Sequence, residues 1–137
     1  MRRGLRTLAL GAGLLAAGAA AALTPGEIQR GYESAARQAT PTFGGFSAQR
    51  GEAFFRFAHG GHWSCASCHT QSPVAAGRHA VTGKAIAPLA PIASPSRFTD
   101  PAKVEKWFNR NCNDVLKRVC TPAEKGDVLA YLMSLKN

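Results

Sequence analysis

A chain of 137 residues, 45% of them apolar and with a formal net charge of +9 at pH 7, has room for one small domain. Beyond its first two dozen residues no apolar run approaches the ~20 residues that a membrane-spanning helix needs. The basic excess suggests docking to acidic proteins or anionic membrane surfaces, with salt-dependent association, although lysines and arginines spread evenly around the fold would give the same total.

At the N-terminus Met1-Arg2-Arg3-Gly4-Leu5-Arg6 is basic, Thr7 to Ala19 is a run rich in Leu, Ala and Gly, and Ala20-Ala21-Ala22 supplies an A-x-A cleavage site. Those parts in that order predict a secretory signal peptide over residues 1–22, cut after Ala22, and a single domain over 23–137. An uncleaved anchor is the competing reading, and the apolar run is short for it. Export to the bacterial periplasm follows, a compartment where disulfides persist and where nucleic acid is not a partner. Contact with the membrane is by association only.

Thr24-Pro25-Gly26-Glu27 is a capping box with proline at the first helical position, and opens a helix through about Gln38 with Ile28, Tyr32, Ala35 and Ala36 on one side. Pro41 and Gly44-Gly45 break it. Ser47 caps a second helix through Phe57, carrying Gly51, Phe54 and Phe55.

The motif Cys65-Ala66-Ser67-Cys68-His69 comes next. C-x-x-C-H is the attachment signature of a c-type haem: two thiols three positions apart reach the two vinyl groups of one porphyrin as thioethers, and the adjacent imidazole lies under the iron. Zinc would want two further ligands at comparable spacing, but Cys112 and Cys120 stand eight apart and make no second C-x-x-C. A thioredoxin-like dithiol would follow a buried strand, and Gly60-Gly61-His62-Trp63-Ser64 does not read as one. Cys65, Cys68 and His69 are thus assigned to one covalently bound haem c, leaving Cys112 and Cys120 able to pair as a disulfide outside the cytoplasm.

From Thr70 to Thr99 the chain is irregular and proline-rich, a stretch that a compact domain tolerates when it wraps the apolar faces of a haem. Asp100-Pro101 caps a third helix running to about Asn111, and Thr121-Pro122-Ala123-Glu124 opens a terminal helix with Val128, Leu129, Leu132 and Leu135. No convincing strand is predicted. The fold class is all-α, about four helices around one haem.

The iron's second axial position needs a ligand. Met133, the one methionine after the signal, falls inside the terminal helix and reads as core or surface filler. His59 and His62 sit just upstream of Cys65, where reaching the opposite haem face is difficult; His79 could reach in principle; each reads more simply as a loop histidine. In the third helix Val104, Trp107, Phe108 and Asn111 fall at i, i+3, i+4 and i+7, the spacing of one buried face. Asn111 would then need a polar partner, since an unpaired buried carboxamide costs a few kcal/mol. A helix C-cap explains the same asparagine equally well. Asn109 and Asn113 point to other faces.

The order helix, C-x-x-C-H, wrapping loop, terminal helix resembles a small class I cytochrome c. Gly51 and Phe55 before the motif and Tyr131 in the terminal helix resemble that fold's close helix crossing, and Ile86-Ala87-Pro88-Leu89 resembles the loop whose carbonyl accepts the proximal histidine's Nδ1–H. More specifically, Thr82 to Pro91, Arg97-Phe98-Thr99-Asp100, Val104-Glu105-Lys106-Trp107 and Arg110-Asn111-Cys112-Asn113 resemble the sphaeroides haem protein (SHP) family of oxygen-binding c-type cytochromes, over essentially the whole mature chain. The resemblance implies that Asn111 ligates the ferric iron opposite His69, and that Cys112 and Cys120 form a disulfide. It also implies redox-gated binding of O2 or NO, with a dihaem c-type and a membrane b-type cytochrome among the electron-transfer partners. The histidine-rich segment His59-Gly60-Gly61-His62-Trp63 departs from the family pattern. A plain electron carrier, or a haem enzyme acting on O2, NO or peroxide, are the alternatives. No catalytic acid–base pair is visible, so a gas-binding electron-transfer protein is favoured over a dedicated enzyme.

Overall fold

The computed structural model describes residues 21–136. The signal peptide expected over 1–22 therefore lies outside the described residues, except for Ala21 and Ala22, which are exposed. Helix α1 (Pro25–Ala39) starts where its capping box predicts: the Glu27 N–H donates to the Thr24 hydroxyl at 3.2 Å and the Thr24 N–H donates to the Glu27 carboxylate at 2.7 Å. Each bond satisfies a backbone donor left unpaired at a helix start. Helix α2 (Ala48–Arg56) follows Ser47, whose Oγ accepts the Arg50 N–H at 3.2 Å. Helix α3 (Cys65–His69) is little more than one turn and consists of the C-x-x-C-H motif.

Strands β1 (Gly77–Arg78) and β2 (Ala85–Ile86) form a two-residue antiparallel ladder, Gly77 opposite Ile86 and Arg78 opposite Ala85. The sequence predicts no strand here, because two residues are too few to show alternation. Helix α4 (Pro101–Leu116) begins at its Asp100 cap, and helix α5 (Pro122–Ser134) at a second capping box, Thr121 with Glu124. Among the described residues no helix is long and apolar enough to cross a membrane.

Helix α5 is the centre of the molecule. Its Val128, Leu129, Tyr131 and Leu132 are all buried, and it packs chiefly on α2 and α1. The crossing with α2 depends on Gly51, where a Cβ would stand 1.9 Å from the Asp127 carbonyl oxygen and 3.0 Å from Tyr131 Cβ. One turn further along α2, Phe55 meets the Tyr131 ring with 5.5 Å between centroids. This is the crossing that Gly51, Phe55 and Tyr131 predict. Asp127 is buried beside it and fully paired: Ser47 N–H donates to Oδ1 at 2.7 Å, and Arg50 donates from Nε to Oδ2 at 2.8 Å and from Nη2 to Oδ1 at 2.9 Å. Such pairing is what makes a buried carboxylate tolerable.

A second polar cluster joins α1, α4 and α5. Lys125 is only 8% exposed, and its Nζ donates to Glu105 Oε2 at 2.8 Å while lying 5.4 Å from the Tyr32 ring centroid and 5.9 Å from that of Phe108. Tyr32 Oη donates to Glu105 Oε1 at 2.6 Å. Burial works against the Glu105 charge, but hydrogen bonds from Lys125 and Tyr32 outweigh it and hold the carboxyl below its ordinary pKa.

Candidate haem site

Helix α3 presents its two cysteines as free thiols and ends on His69. Burial, aided by the nearby Arg97 guanidinium, lowers the His69 pKa to about 4, so the imidazole is neutral at pH 7, as a metal ligand must be. Burial also pushes the Cys65 thiol up to about 11. The chain leaves α3 through Thr70, a β-branched residue at φ 65°, where L side chains are strained. Two local bonds hold it there: Thr70 Oγ1 donates to Ser72 O at 2.7 Å and accepts the Ser72 N–H at 3.1 Å.

The wrapping loop closes on this turn. Gly77 lies so near α3 that a Cβ would stand 2.1 Å from the Cys68 carbonyl oxygen. The Ala80 N–H points at Cys68 Sγ, 3.2 Å away. Leu89 and Ala90 N–H groups both donate to Pro73 O, at 2.9 and 3.0 Å. An apolar wall rises behind: Phe55, Ala66, Val128, Tyr131 and Leu132 are buried together, with Cys65, Leu89, Phe98 and Phe108 packed against them.

The loop differs from expectation at one bond. His69 Nδ1 is buried without a hydrogen-bond partner among the described residues. The Pro88 carbonyl instead accepts Arg97 Nε at 3.2 Å, and the Ala87 carbonyl accepts Arg97 Nη2 at 3.0 Å. Sequence reasoning missed Arg97 because its partners lie nine and ten residues away within irregular chain. The Tyr131 hydroxyl is also buried without a partner among the described residues, and nothing local in the sequence marks it.

Helix α4 corrects the reading of Asn111 as a C-cap. The helix runs on through Asn113 to Leu116 and stops at Lys117, whose backbone is left-handed (φ 60°, ψ 23°) and whose N–H donates to Asn113 O at 3.1 Å. Asn111 is thus an interior residue. The buried stripe is Val104 and Cys112, with Phe108 half-buried between them and packed on the core. Trp107, expected on that face, is 49% exposed and lies under the Arg110 guanidinium at 5.5 Å. Asn111 is half-buried at the edge of the stripe, on the Trp107 side. Asn109 and Asn113 are exposed, as their phase predicts. The next residue, Cys112, is bonded to Cys120, with 5.6 Å between the Cα atoms, and this ties α4 to the start of α5.

The loop histidines have other employment. His59, at φ 49°, folds back on α2: its Nε2 lies 2.9 Å from Phe54 O, and its ring packs between Phe54 (4.4 Å) and Phe57 (5.2 Å). His62 is exposed, and with His59, Trp63 and the last turn of α4 it lines a cavity of about 350 Å³. His79 Nδ1 accepts the Val81 and Thr82 N–H groups at 3.3 and 3.2 Å and so organises a turn. Met133 lies at the surface. Among the described residues no group of three or more His, Cys, Asp or Glu side chains is placed to hold a metal ion by itself.

Two free thiols and a neutral imidazole on one turn, backed by an apolar wall, fit a porphyrin tethered at its vinyl groups and ligated through its iron. The class this defines is the c-type cytochrome. Known proteins agree. A family model described as "Domain of unknown function (DUF1924)" matches residues 41–132. The cytochrome c-type protein SHP of Cereibacter sphaeroides is 46% identical over 131 residues, 93% of this chain and 96% of that one. Cytochrome c'' of Methylophilus methylotrophus is 42% identical over 107 residues, 75% of this chain and 74% of that one. In structure, oxidised SHP, described as an oxygen-binding cytochrome c, superposes with a TM-score of 0.74 at 45% identity, covering 83% of this chain and 99% of that one. Oxidised cytochrome c'' gives 0.74 at 38% identity, covering 82% and 95%. The chain belongs to the sphaeroides haem protein family, and its cofactor is covalently bound haem c.

Proposed function

We propose that this is an exported cytochrome with a single haem, held by thioethers from Cys65 and Cys68, with His69 and Asn111 as axial ligands, that exchanges electrons and binds a diatomic gas when reduced. The observation that carries the reading is Asn111 itself. It is a half-buried carboxamide in the interior of α4, one residue from the disulfide, on a helix capped elsewhere. A capping role would have explained it; none is available. The oxygen-binding description of the related SHP supports gas binding.

Haem supplies an iron that alternates between Fe(III) and Fe(II) and takes small ligands at an open axial position. His69, neutral and half-buried, would take the proximal position. The Asn111 carboxamide oxygen is a hard, weak donor, better suited to the more charged ferric ion. It would hold a ferrous iron more weakly than a ferric one. Off the iron, its NH2 group would be a hydrogen-bond donor for O2 or NO. The Cys112–Cys120 link limits how far that stretch of α4 can move. Electron partners are other cytochromes, a dihaem c-type and a membrane b-type among them by family resemblance. The testing experiment is the visible spectrum of purified protein, oxidised and then dithionite-reduced, before and after CO. The reading expects a low-spin ferric haem, an open ferrous haem and immediate CO binding. A reduced haem that stays low-spin and ignores CO contradicts it, and leaves a plain electron carrier.

Export is part of the reading. The Leu23 N–H donates to Thr99 O at 3.0 Å immediately before the α1 cap. Cleavage after Ala22 would leave that nitrogen as the new α-amino group, still within reach of the same carbonyl.

A further inference from the structure

The hairpin 77–86 sits on the haem-attachment turn without taking part in attachment. Its Ala80 N–H lies 3.2 Å from Cys68 Sγ, and Gly77 is pressed against the Cys68 carbonyl. A thioether formed at Cys68 would bring a porphyrin's rim close to this hairpin. The hairpin is built rigidly for an exposed loop. His79 N–H donates to Lys84 O at 2.8 Å, Gly83 N–H to His79 O at 2.9 Å, and the His79 ring accepts two more N–H groups inside the turn. Gly83 supplies the left-handed residue, at φ 68°.

The hairpin lies in a stretch of chain without carboxylates. From Ala53 to Thr99 the sequence contains no Asp or Glu. On the helices, acidic side chains are largely consumed by local ion pairs, such as Glu33 with Arg37 and Glu124 with Arg118. On the hairpin, Arg78 and Lys84 are exposed, and neither forms an ion pair with a described residue. Arg78 is anchored by an Nη1 bond to Gly83 O at 2.7 Å, which leaves its other donors outward. Between the two cations in sequence stands Val81, 66% exposed. An exposed valine in a turn flanked by an anchored arginine and an unpaired lysine, beside the haem-attachment turn, matches a partner of the opposite pattern.

We infer that the hairpin 77–86 is the electron-transfer docking face, and that its partner is a redox protein presenting carboxylates around an apolar patch. This rests on the electron-exchange reading above and adds where exchange occurs. The test uses the haem-loaded protein, reduced anaerobically in a stopped-flow instrument by reduced flavodoxin, an acidic redox protein, and by hexaammineruthenium(II), a small cation. The double variant Arg78→Glu/Lys84→Glu is compared with Arg30→Glu/Lys136→Glu, which makes the same change in net charge at exposed positions elsewhere. The hairpin variant should lose about tenfold or more in flavodoxin rate at low ionic strength, a loss that shrinks as salt rises, while its ruthenium rate does not fall. The control should stay within about twofold of wild type in both reactions. Unchanged spectra and CO binding confirm that both variants are folded and loaded. Equal slowing by the two variants, or slowing by neither, overturns the docking face while leaving electron exchange intact. A wild-type protein that accepts electrons from neither reagent overturns the electron-exchange reading and the hairpin with it.

Discussion

Arg97 holds the Pro88 carbonyl and sets a positive charge near His69. A proximal imidazole is made more basic when its Nδ1–H finds an acceptor, and here the Pro88 carbonyl is taken by Arg97 Nε at 3.2 Å while Nδ1 has none. The same guanidinium adds positive charge beside the ring. Both effects favour the reduced iron, which carries less positive charge. Arg97→Met removes that charge, so the reduction potential should fall in a spectroelectrochemical titration. An unchanged or higher potential would show that Arg97 only braces the loop. The pairing was invisible in the sequence, since a loop arginine and a carbonyl nine residues away carry no periodic signal. His59 was unreadable for a related reason. Its place is set by two phenylalanine rings and the Phe54 carbonyl, and a histidine among glycines gives no hint of either.

The helices were legible mainly from their starts. Thr24, Ser47, Asp100 and Thr121 each cap as their sequences predict, because a cap is chemistry confined to four residues. The end of α4 was not legible. Its stop is Lys117 in a left-handed conformation, where Gly or Asn would have been the readable signal. Phase was read only approximately, so Trp107 came out on the wrong side of the stripe: spacing defines a face, but the docked neighbours define its centre. Two predictions belong to these contacts. Gly51→Ala forces a Cβ into the Asp127 backbone, whereas Gly126→Ala meets the Phe46 ring, which can turn aside. Urea denaturation should place Gly51→Ala at the upper end of the roughly 1–3 kcal/mol that overpacking costs, with Gly126→Ala below it; the reverse order would put the tight crossing elsewhere. The second concerns Glu105. Its folded pKa lies below the ordinary 4.5, so the stability it contributes is complete above that value and is lost as pH falls through the folded one. Glu105→Gln should flatten that acid limb. At neutral pH it should also cost about 1–3 kcal/mol, less than for a fully buried pair because the Glu105 side chain is 44% exposed.

At the scale of the whole molecule, the buried apolar residues described form two clusters, and α5 contributes to both. Around them the sequence marked the haem turn plainly, since C-x-x-C-H is a local signature. It marked Asn111 only by resemblance, since a lone asparagine in a helix has several possible uses. Intact mass spectrometry of the exported protein should find a chain beginning at Leu23 plus one covalent haem; retention of residues 1–22 would make the N-terminus an anchor. The most direct test of the central claim is the ferric visible spectrum of Asn111→Ala, recorded beside wild type. Loss of the carboxamide should turn the low-spin ferric haem into a water-ligated or five-coordinate high-spin one, with the reduced spectrum almost unchanged. A ferric spectrum identical to wild type would show that another residue holds the position, with His79 the next to replace.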